Sequence, residues 1–278
     1  PNIIFIMADD LGYGDVGVYG QQLIKTPNID RLSAQGMRFS DYYSGAAVCA
    51  PARSVLMTGL HTGHTRIRGN FGKGGVVGLA GKQGRVPIKE EDLTIAEFLQ
   101  ENGYRTGMIG KWGLGEPNTS GEPNKKGFDY FYGFYNQRRA HSYYPDYIWE
   151  NTNKVKLHGN ENEQNHQYTH NLFADKSMNF IDRNFEKPFF LYLPFCIPHS
   201  RYELPDNGIY NHKVGWTDLQ KKYAAMVTRL DETVGRIIKR LDALGIADKT
   251  YIFFTSDNGP AEIVNDWEIF NSNGIYRG

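Results

Sequence analysis

The sequence predicts an α/β fold: a mixed, largely parallel central sheet sandwiched by helices. Three observations predict it. Short, almost wholly apolar runs recur at Asn2–Ala8, Phe189–Phe195 and Tyr251–Thr255, which is how strands buried on both faces read. Helical patterns alternate with these runs. Two oxygen-donor pairs, Asp9-Asp10 and Asp257-Asn258, directly follow or close upon two of the runs, and open α/β sheets bind ligands at the carboxyl ends of their strands.

The elements follow in order. After the first strand, Thr26-Pro27 supplies an N-cap and a proline at the first helical position, opening a short helix closed near Gly36. Thr94 and Glu97 have the spacing of a capping box, ahead of a helix that Gly103 should terminate. Arg105–Gly110 is the next candidate strand. Residues 113–168 are rich in Gly, Asn, Pro and Tyr. This stretch reads as a long polar insertion with small hairpins and substrate contacts, too long for a simple connection. A helix over Thr169–Arg183 precedes the strand at Phe189. An amphipathic helix over Asp218–Leu244 places Ala225, Val227, Leu230, Val234, Ile237, Ile238 and Leu241 near helical spacing.

Bulk properties narrow the function. Lys plus Arg (31) equals Asp plus Glu (31), so the chain has no global basic field for nucleic acid or anionic lipid. Any anion must be held locally. Two cysteines, Cys49 and Cys196, rule out a disulfide-dense scaffold. No apolar run is long enough to span a bilayer. The aromatic share of 14% reads more as ordinary core than as sugar stacking.

The four strand-end side chains Asp9, Asp10, Asp257 and Asn258 can converge on one hard cation if their strands are neighbours. Otherwise they make turns, as such residues commonly do. Cys49 opens the run Cys49-Ala50-Pro51-Ala52-Arg53. Pro51 suits a first helical turn, which puts Cys49 at a helix N-terminus where anions are favoured. Arg53, one turn in, offers a forked donor to an oxyanion. The alternative is a small buried cysteine.

Cys49-x-Pro51-x-Arg53 followed by Thr58-Gly59 resembles the signature of the sulfatase family, formylglycine-dependent enzymes of the alkaline-phosphatase-like superfamily. Asp9-Asp10-Leu11-Gly12, Thr26-Pro27-Asn28-Ile29-Asp30, Gly110-Lys111-Trp112, Pro198-His199 and Ser256-Asp257-Asn258-Gly259 look like further blocks of that family, in family order over the whole chain. The resemblance implies a sulfuric ester hydrolase acting on sulfated carbohydrate or aryl sulfate. It implies that Cys49 is oxidised to formylglycine by a maturation enzyme, and that the aldehyde hydrate attacks sulfur. Asp9, Asp10, Cys49, Asp257 and Asn258 would hold calcium, with magnesium as the alternative. Arg53 would orient the hydrate, Lys111 would bind sulfate oxygens, and His199 would donate a proton to the departing alcohol and contact substrate. Arg138 and His141, with Arg139, Tyr143 and Tyr144, are the candidates for substrate recognition in the polar stretch. A periplasmic or secreted location is also implied.

There are two departures from the family pattern. Many relatives read Gly-Lys-Trp-His-Leu-Gly, their His being the base usually assigned to collapse of the sulfated hemiacetal, where this chain has Gly110-Lys111-Trp112-Gly113-Leu114-Gly115. Either His61, His64 or His141 replaces it or the mechanism leans on the metal. Relatives also continue past an Arg-Gly like Arg277-Gly278 into a lysine-bearing segment and a smaller C-terminal subdomain. The chain is therefore expected to be an N-terminal catalytic domain cut short. Arg66, Arg68 and Lys73 read as a solvated basic face, Cys196 as core, and His166, His170 and His212 as surface or core histidines. Two other functions stay open: a phosphate or phosphonate ester hydrolase of the same superfamily, and an inactive binder of sulfated glycans.

Overall fold

A computed structural model describes residues 1–71, 76–77, 84–261 and 269–276. Lys73, Arg277 and Gly278 lie outside the described residues. In chain order the elements are β1 (Asn2–Ala8), α1 (Pro27–Ala34), α2 (Cys49–Thr58), β2 (Val76–Val77), β3 (Gly84–Arg85), α3 (Ile95–Glu101), β4 (Arg105–Lys111) and β5 (Tyr130–Phe134). Then come β6 (Tyr147–Glu150), β7 (Asn153–Lys156), α4 (Thr169–Asn184), β8 (Phe189–Pro194), α5 (Asp218–Ala243) and β9 (Thr250–Ser256). Among the described residues, strands β2 and β3 pair only with each other.

The other seven strands form one sheet in the order β7-β6-β5-β4-β8-β1-β9. Strands β5, β4, β8, β1 and β9 run parallel, and β6 and β7 continue antiparallel at one edge. Both faces of the inner parallel strands are covered, whereas β9, at the edge, leaves Tyr251 and Phe253 exposed on one face, so the expectation of a strand buried on both faces fails there. Ile4, Ile6, Leu191 and Leu193 pack on the α1, α4 and α5 side; Met7, Met108, Phe190 and Tyr192 pack on the α2 and α3 side. Double coverage is why these strands read as continuous apolar runs rather than alternating ones.

The expected helices form with local causes in view. Thr94 Oγ1 accepts from Glu97 N while the Glu97 carboxylate accepts from Thr94 N, closing the capping box of α3. Thr217 and Gln220 do the same for α5. The stretch read as a polar insertion contributes β5, β6 and β7 to the main sheet. Strand β5 carries Tyr, Phe and Gly in place of β-branched residues, and Gly133 faces Gly110 across β4 so closely that a Cβ would collide with the Gly110 carbonyl.

The parallel register aligns the carboxyl ends. Ala8 lies opposite Ser256 and Lys111 opposite Phe134. Whatever follows β1, β4, β5, β8 and β9 is therefore brought to one rim of the sheet.

His170, on α4, is a core histidine. It is buried against α5 with Nε2 2.9 Å from Thr233 Oγ1, and Nδ1 has no hydrogen-bond partner among the described residues. Burial, then nearby Arg229, pushes its pKa down to about 3. An unfolded chain protonates this ring near its ordinary value, so between that value and about 3 the unfolded state binds a proton that the native state does not. Stability conferred by neutral His170 is present above pH ~6.5 and falls on acidification. Urea unfolding at pH 7, 6 and 5 should show His170→Gln losing less stability than the parent, by up to ~1.4 kcal/mol per pH unit below about 6.

Candidate active site at the carboxyl rim

Strand β1 ends in Asp9 and Asp10. Asp9 N donates to Ile197 O (3.1 Å), Asp257 N to Ala8 O (3.1 Å), and Asp10 N to Asp257 Oδ1 (3.2 Å). These bonds tie the ends of β1, β8 and β9 together. Asp10 sits at φ +63°, a left-handed conformation that Asp tolerates better than most residues. Such backbone persists only where neighbours fix it.

Helix α2 begins at Cys49. Asn70 Oδ1 accepts from Ala50 N at 3.1 Å, and Cys49 is buried. One turn on, Arg53 is enclosed. Its Nη2 lies 2.7 Å from Asp257 Oδ2 and 3.4 Å from Asp9 Oδ1, and its Nη1 donates to Lys111 O at 2.7 Å. Lys111, the last residue of β4, places Nζ 2.7 Å and 3.0 Å from the two Asp9 oxygens. Asp9 thus bridges the two buried cations. Asn258 Nδ2 donates to Asp10 Oδ1 at 2.6 Å, and His199 Nε2 lies 3.3 Å from Asp10 Oδ2.

The electrostatics follow from crowding. Burial pushes Asp9 up, but Lys111, His199 and Arg53 outweigh it and hold the carboxyl below the usual range. Asp10 is raised by burial and by its neighbour Asp9. Asp257 is pushed up to about 7 by burial, then by Asp9, against the pull of Arg53 and Lys111. Burial lifts the Cys49 thiol far above its ordinary value, with Asp9, Asp257 and Asp10 adding to the effect against Lys111. A free Cys49 is thus a neutral thiol here, a poor nucleophile.

One ligand atom from each of Asp9, Asp10, Cys49 and His199 lies within 4.8 Å of the others. Asp257 joins them through Arg53 and Asp10 N, and Asn258 Oδ1 is a buried acceptor without a partner among the described residues. Crowded carboxylates with raised pKa values and an orphaned amide oxygen match what a hard divalent cation requires.

Of the residues sought for substrate recognition, His141 is at the site. Its ring stacks on His199 with centroids 3.8 Å apart and planes 24° apart. Burial first, then Lys111 and His199, pushes its pKa down to about 3, so the ring is neutral. His61 and His64 stack on each other in the exposed turn after α2, and the structure does not bring them into this cluster. Arg138 is exposed, and Arg139 pairs with Asp146 at 2.7 Å. Tyr143 is fully buried, so it is no surface contact as expected from its polar surroundings. Its hydroxyl lies 2.9 Å from Cys196 O and 2.7 Å from His199 O and fixes the backbone that carries His199. Arg66 pairs with Asp92 and Glu91, Arg68 donates to the carbonyls of Thr65 and Gly63, and Cys196 is core.

Sequence reasoning missed Arg85. It is buried, stacks over Phe71 at 4.4 Å, donates to Asn70 O and feels Cys49 electrostatically. No local spacing links positions 85 and 49, so only the fold reveals it.

A family model described as Sulfatase matches residues 1–266. The chain belongs to the sulfatase family. It is 34% identical to an arylsulfatase of Hemicentrotus pulcherrimus over 94% of this chain and 47% of that protein. It is 31% identical to the N-acetylgalactosamine-6-sulfatase of Homo sapiens over 99% of this chain and 53% of that protein. Among solved structures, Ps i-CgsB in complex with k-i-k-neocarrahexaose superposes with a TM-score of 0.78 at 34% identity, covering 94% of this chain and 59% of that one. The chain thus spans about half the length of the curated sulfatases it matches, and it shares the α/β sandwich of the solved ones.

Tyr143→Phe tests the support of His199 in this sulfatase site. Removing the hydroxyl takes the side-chain donor from His199 O, while Cys196 O keeps the bond from His199 N at 3.3 Å, and urea unfolding should show a loss of about 1–3 kcal/mol.

Proposed function

We propose that this protein hydrolyses sulfate esters of carbohydrates, with a formylglycine made from Cys49 and a divalent cation in the cluster. The observation that carries the reading is the setting of Cys49. It heads α2 in the run Cys49-Ala50-Pro51-Ala52-Arg53, buried, with ligand atoms of Asp9, Asp10 and His199 within 4.8 Å of its own, in a chain that belongs to the sulfatase family. Relatives named as arylsulfatase and N-acetylgalactosamine-6-sulfatase, and one solved with a carrageenan oligosaccharide, support a sulfated sugar as substrate.

The geometry supports the following assignment of roles. Oxidised Cys49 supplies a hydrated aldehyde, which offers a hydroxyl as nucleophile in place of sulfur. Asp9, Asp10, Asp257 and Asn258 would hold the cation together with the modified Cys49; calcium suits so many oxygen ligands, and magnesium is the alternative. When bound, the cation neutralises charge on the sulfuryl oxygens. Lys111, now paired with Asp9, is the cation placed to bind a sulfate oxygen. Arg53 holds Asp9 and Asp257 in register and keeps positive charge beside the nucleophile.

His199, held by Tyr143 and stacked on His141, donates a proton to the leaving alcohol. A neutral His141 is the histidine of the polar stretch placed to contact the sugar and to take the part left open at Gly113. Arg138 is the outer candidate for substrate contact. No described helix is long and apolar enough to cross a membrane. A periplasmic or secreted enzyme, served by a maturation enzyme that oxidises Cys49, is the cellular setting proposed.

The test is side-by-side turnover of 4-nitrophenyl sulfate and 4-nitrophenyl phosphate by full-length, matured protein. Sulfate should be the preferred ester, Cys49→Ala should abolish turnover, and His199→Ala should cut kcat by about 10²–10⁴. Chelation should remove activity and calcium restore it. Preferential cleavage of the phosphate ester would sink the proposal.

A further inference from the structure

Gly113 and Gln137 fit together in a way neither explains alone. Gly113 lies two residues beyond Lys111, at φ +84°. A Cβ built there would meet Gln137 Cγ and Nε2 at 2.6 Å and Cδ at 2.8 Å. These approaches are shorter than any real contact, so the Gln137 side chain fills the space a side chain at 113 would enter. This is where many sulfatases carry the histidine that the chain lacks.

The backbone holds the two together. Trp112 N donates to Phe134 O at 2.9 Å and Gly113 N to Tyr135 O at 3.0 Å, prolonging the β4–β5 ladder past Lys111. Asn136 then anchors the turn: its Nδ2 donates to the Glu116 carboxylate and its Oδ1 accepts from Arg138 N at 2.9 Å. Gln137, 3% exposed, is fixed at the same rim as Lys111. Its Nε2 is buried and has no hydrogen-bond partner among the described residues. Buried amides are paired in nearly all native structures, and an orphan calls for a missing partner.

We propose that Gln137 occupies the place left open by Gly113 and donates from Nε2 to an oxygen of the bound sulfuryl group. The inference rests on the sulfatase reading and adds a substrate-binding residue to that site. An anion selects the N–H end of a carboxamide, whose two ends are otherwise interchangeable in orientation. A carboxamide neither gains nor loses a proton in the working range. Gln137 therefore binds and positions substrate and takes no part in proton transfer.

The experiment compares Gln137→Met, Gln137→Ala and Gly113→Asn/Gln137→Ala in the full-length matured protein. The readouts are KM and kcat for 4-nitrophenyl sulfate, the inhibition constant of inorganic sulfate, and the melting temperature. Met keeps most of the volume and removes the donor. It should weaken sulfate inhibition and raise KM about ten- to a hundredfold, the scale of a hydrogen bond to an anion, with little change in melting temperature. Asn tolerates the left-handed conformation and returns a carboxamide from the opposite wall, so the double variant should recover part of the affinity that Gln137→Ala loses. Unchanged KM and sulfate inhibition in Gln137→Met would overturn the proposal and leave the sulfatase reading standing. Parent protein that neither cleaves the ester nor is bound by sulfate would overturn both.

Discussion

The Asp9 carboxylate, clasped between Lys111 and Arg53 away from water, is the interaction on which the site depends. Three carboxylates face two permanent cations in this cluster, so full ionisation leaves excess negative charge. The protein resolves the crowding unevenly: Asp9 is held ionised while Asp10 and Asp257 are pushed towards the neutral form. A divalent cation would supply the missing charge, so its binding and the placement of Arg53 and Lys111 would belong to one electrostatic problem. Breaking such a pair by removing one partner leaves a buried charge uncompensated, a cost of about 3–5 kcal/mol.

The sheet makes this cluster possible. Five parallel strands deliver their ends to one rim, and Asp9, Lys111, Gln137, His199 and Asp257 all follow strands of that set. Helix α2 completes the rim from the other side by presenting Cys49 and Arg53 from its first turns. Outer contacts then fix the reactive groups: Tyr143 holds the His199 backbone and Asn70 caps the start of α2. The rigidity of the scaffold therefore reaches the side chains through short rim loops pinned by these bonds.

How much of this was legible depended on whether the signal was local. The runs at Asn2 and Phe189 declared buried strands because they are apolar on both faces, and Thr94 with Glu97 declared a helix start because capping acts over three residues. The run at Tyr251 is as apolar but forms an edge strand with Tyr251 and Phe253 exposed, a position that composition does not reveal. Cys49-x-Pro51-x-Arg53 was legible as a motif, and the acidic pairs were legible as candidates. Strands β5, β6 and β7 were harder, since YFYGF and YIWE carry ring and glycine patterns that polar neighbours obscure. The anchoring role of Tyr143 was not legible, since Cys196 and His199 define it from far along the chain, nor was the close fit of Gln137 against Gly113. Arg53 shows both sides: its motif marked it as an anion binder, while its bonds to Asp257 and Asp9 required the fold.

The central claim is that Cys49 serves as precursor to the nucleophile. Mass spectrometry of the Cys49 peptide, from protein made in its native host or together with a maturation enzyme, tests it most directly. The account predicts loss of the thiol and appearance of the aldehyde or its hydrate at Cys49, with Cys196 unchanged. A Cys49 that remains an unmodified thiol under those conditions would contradict it.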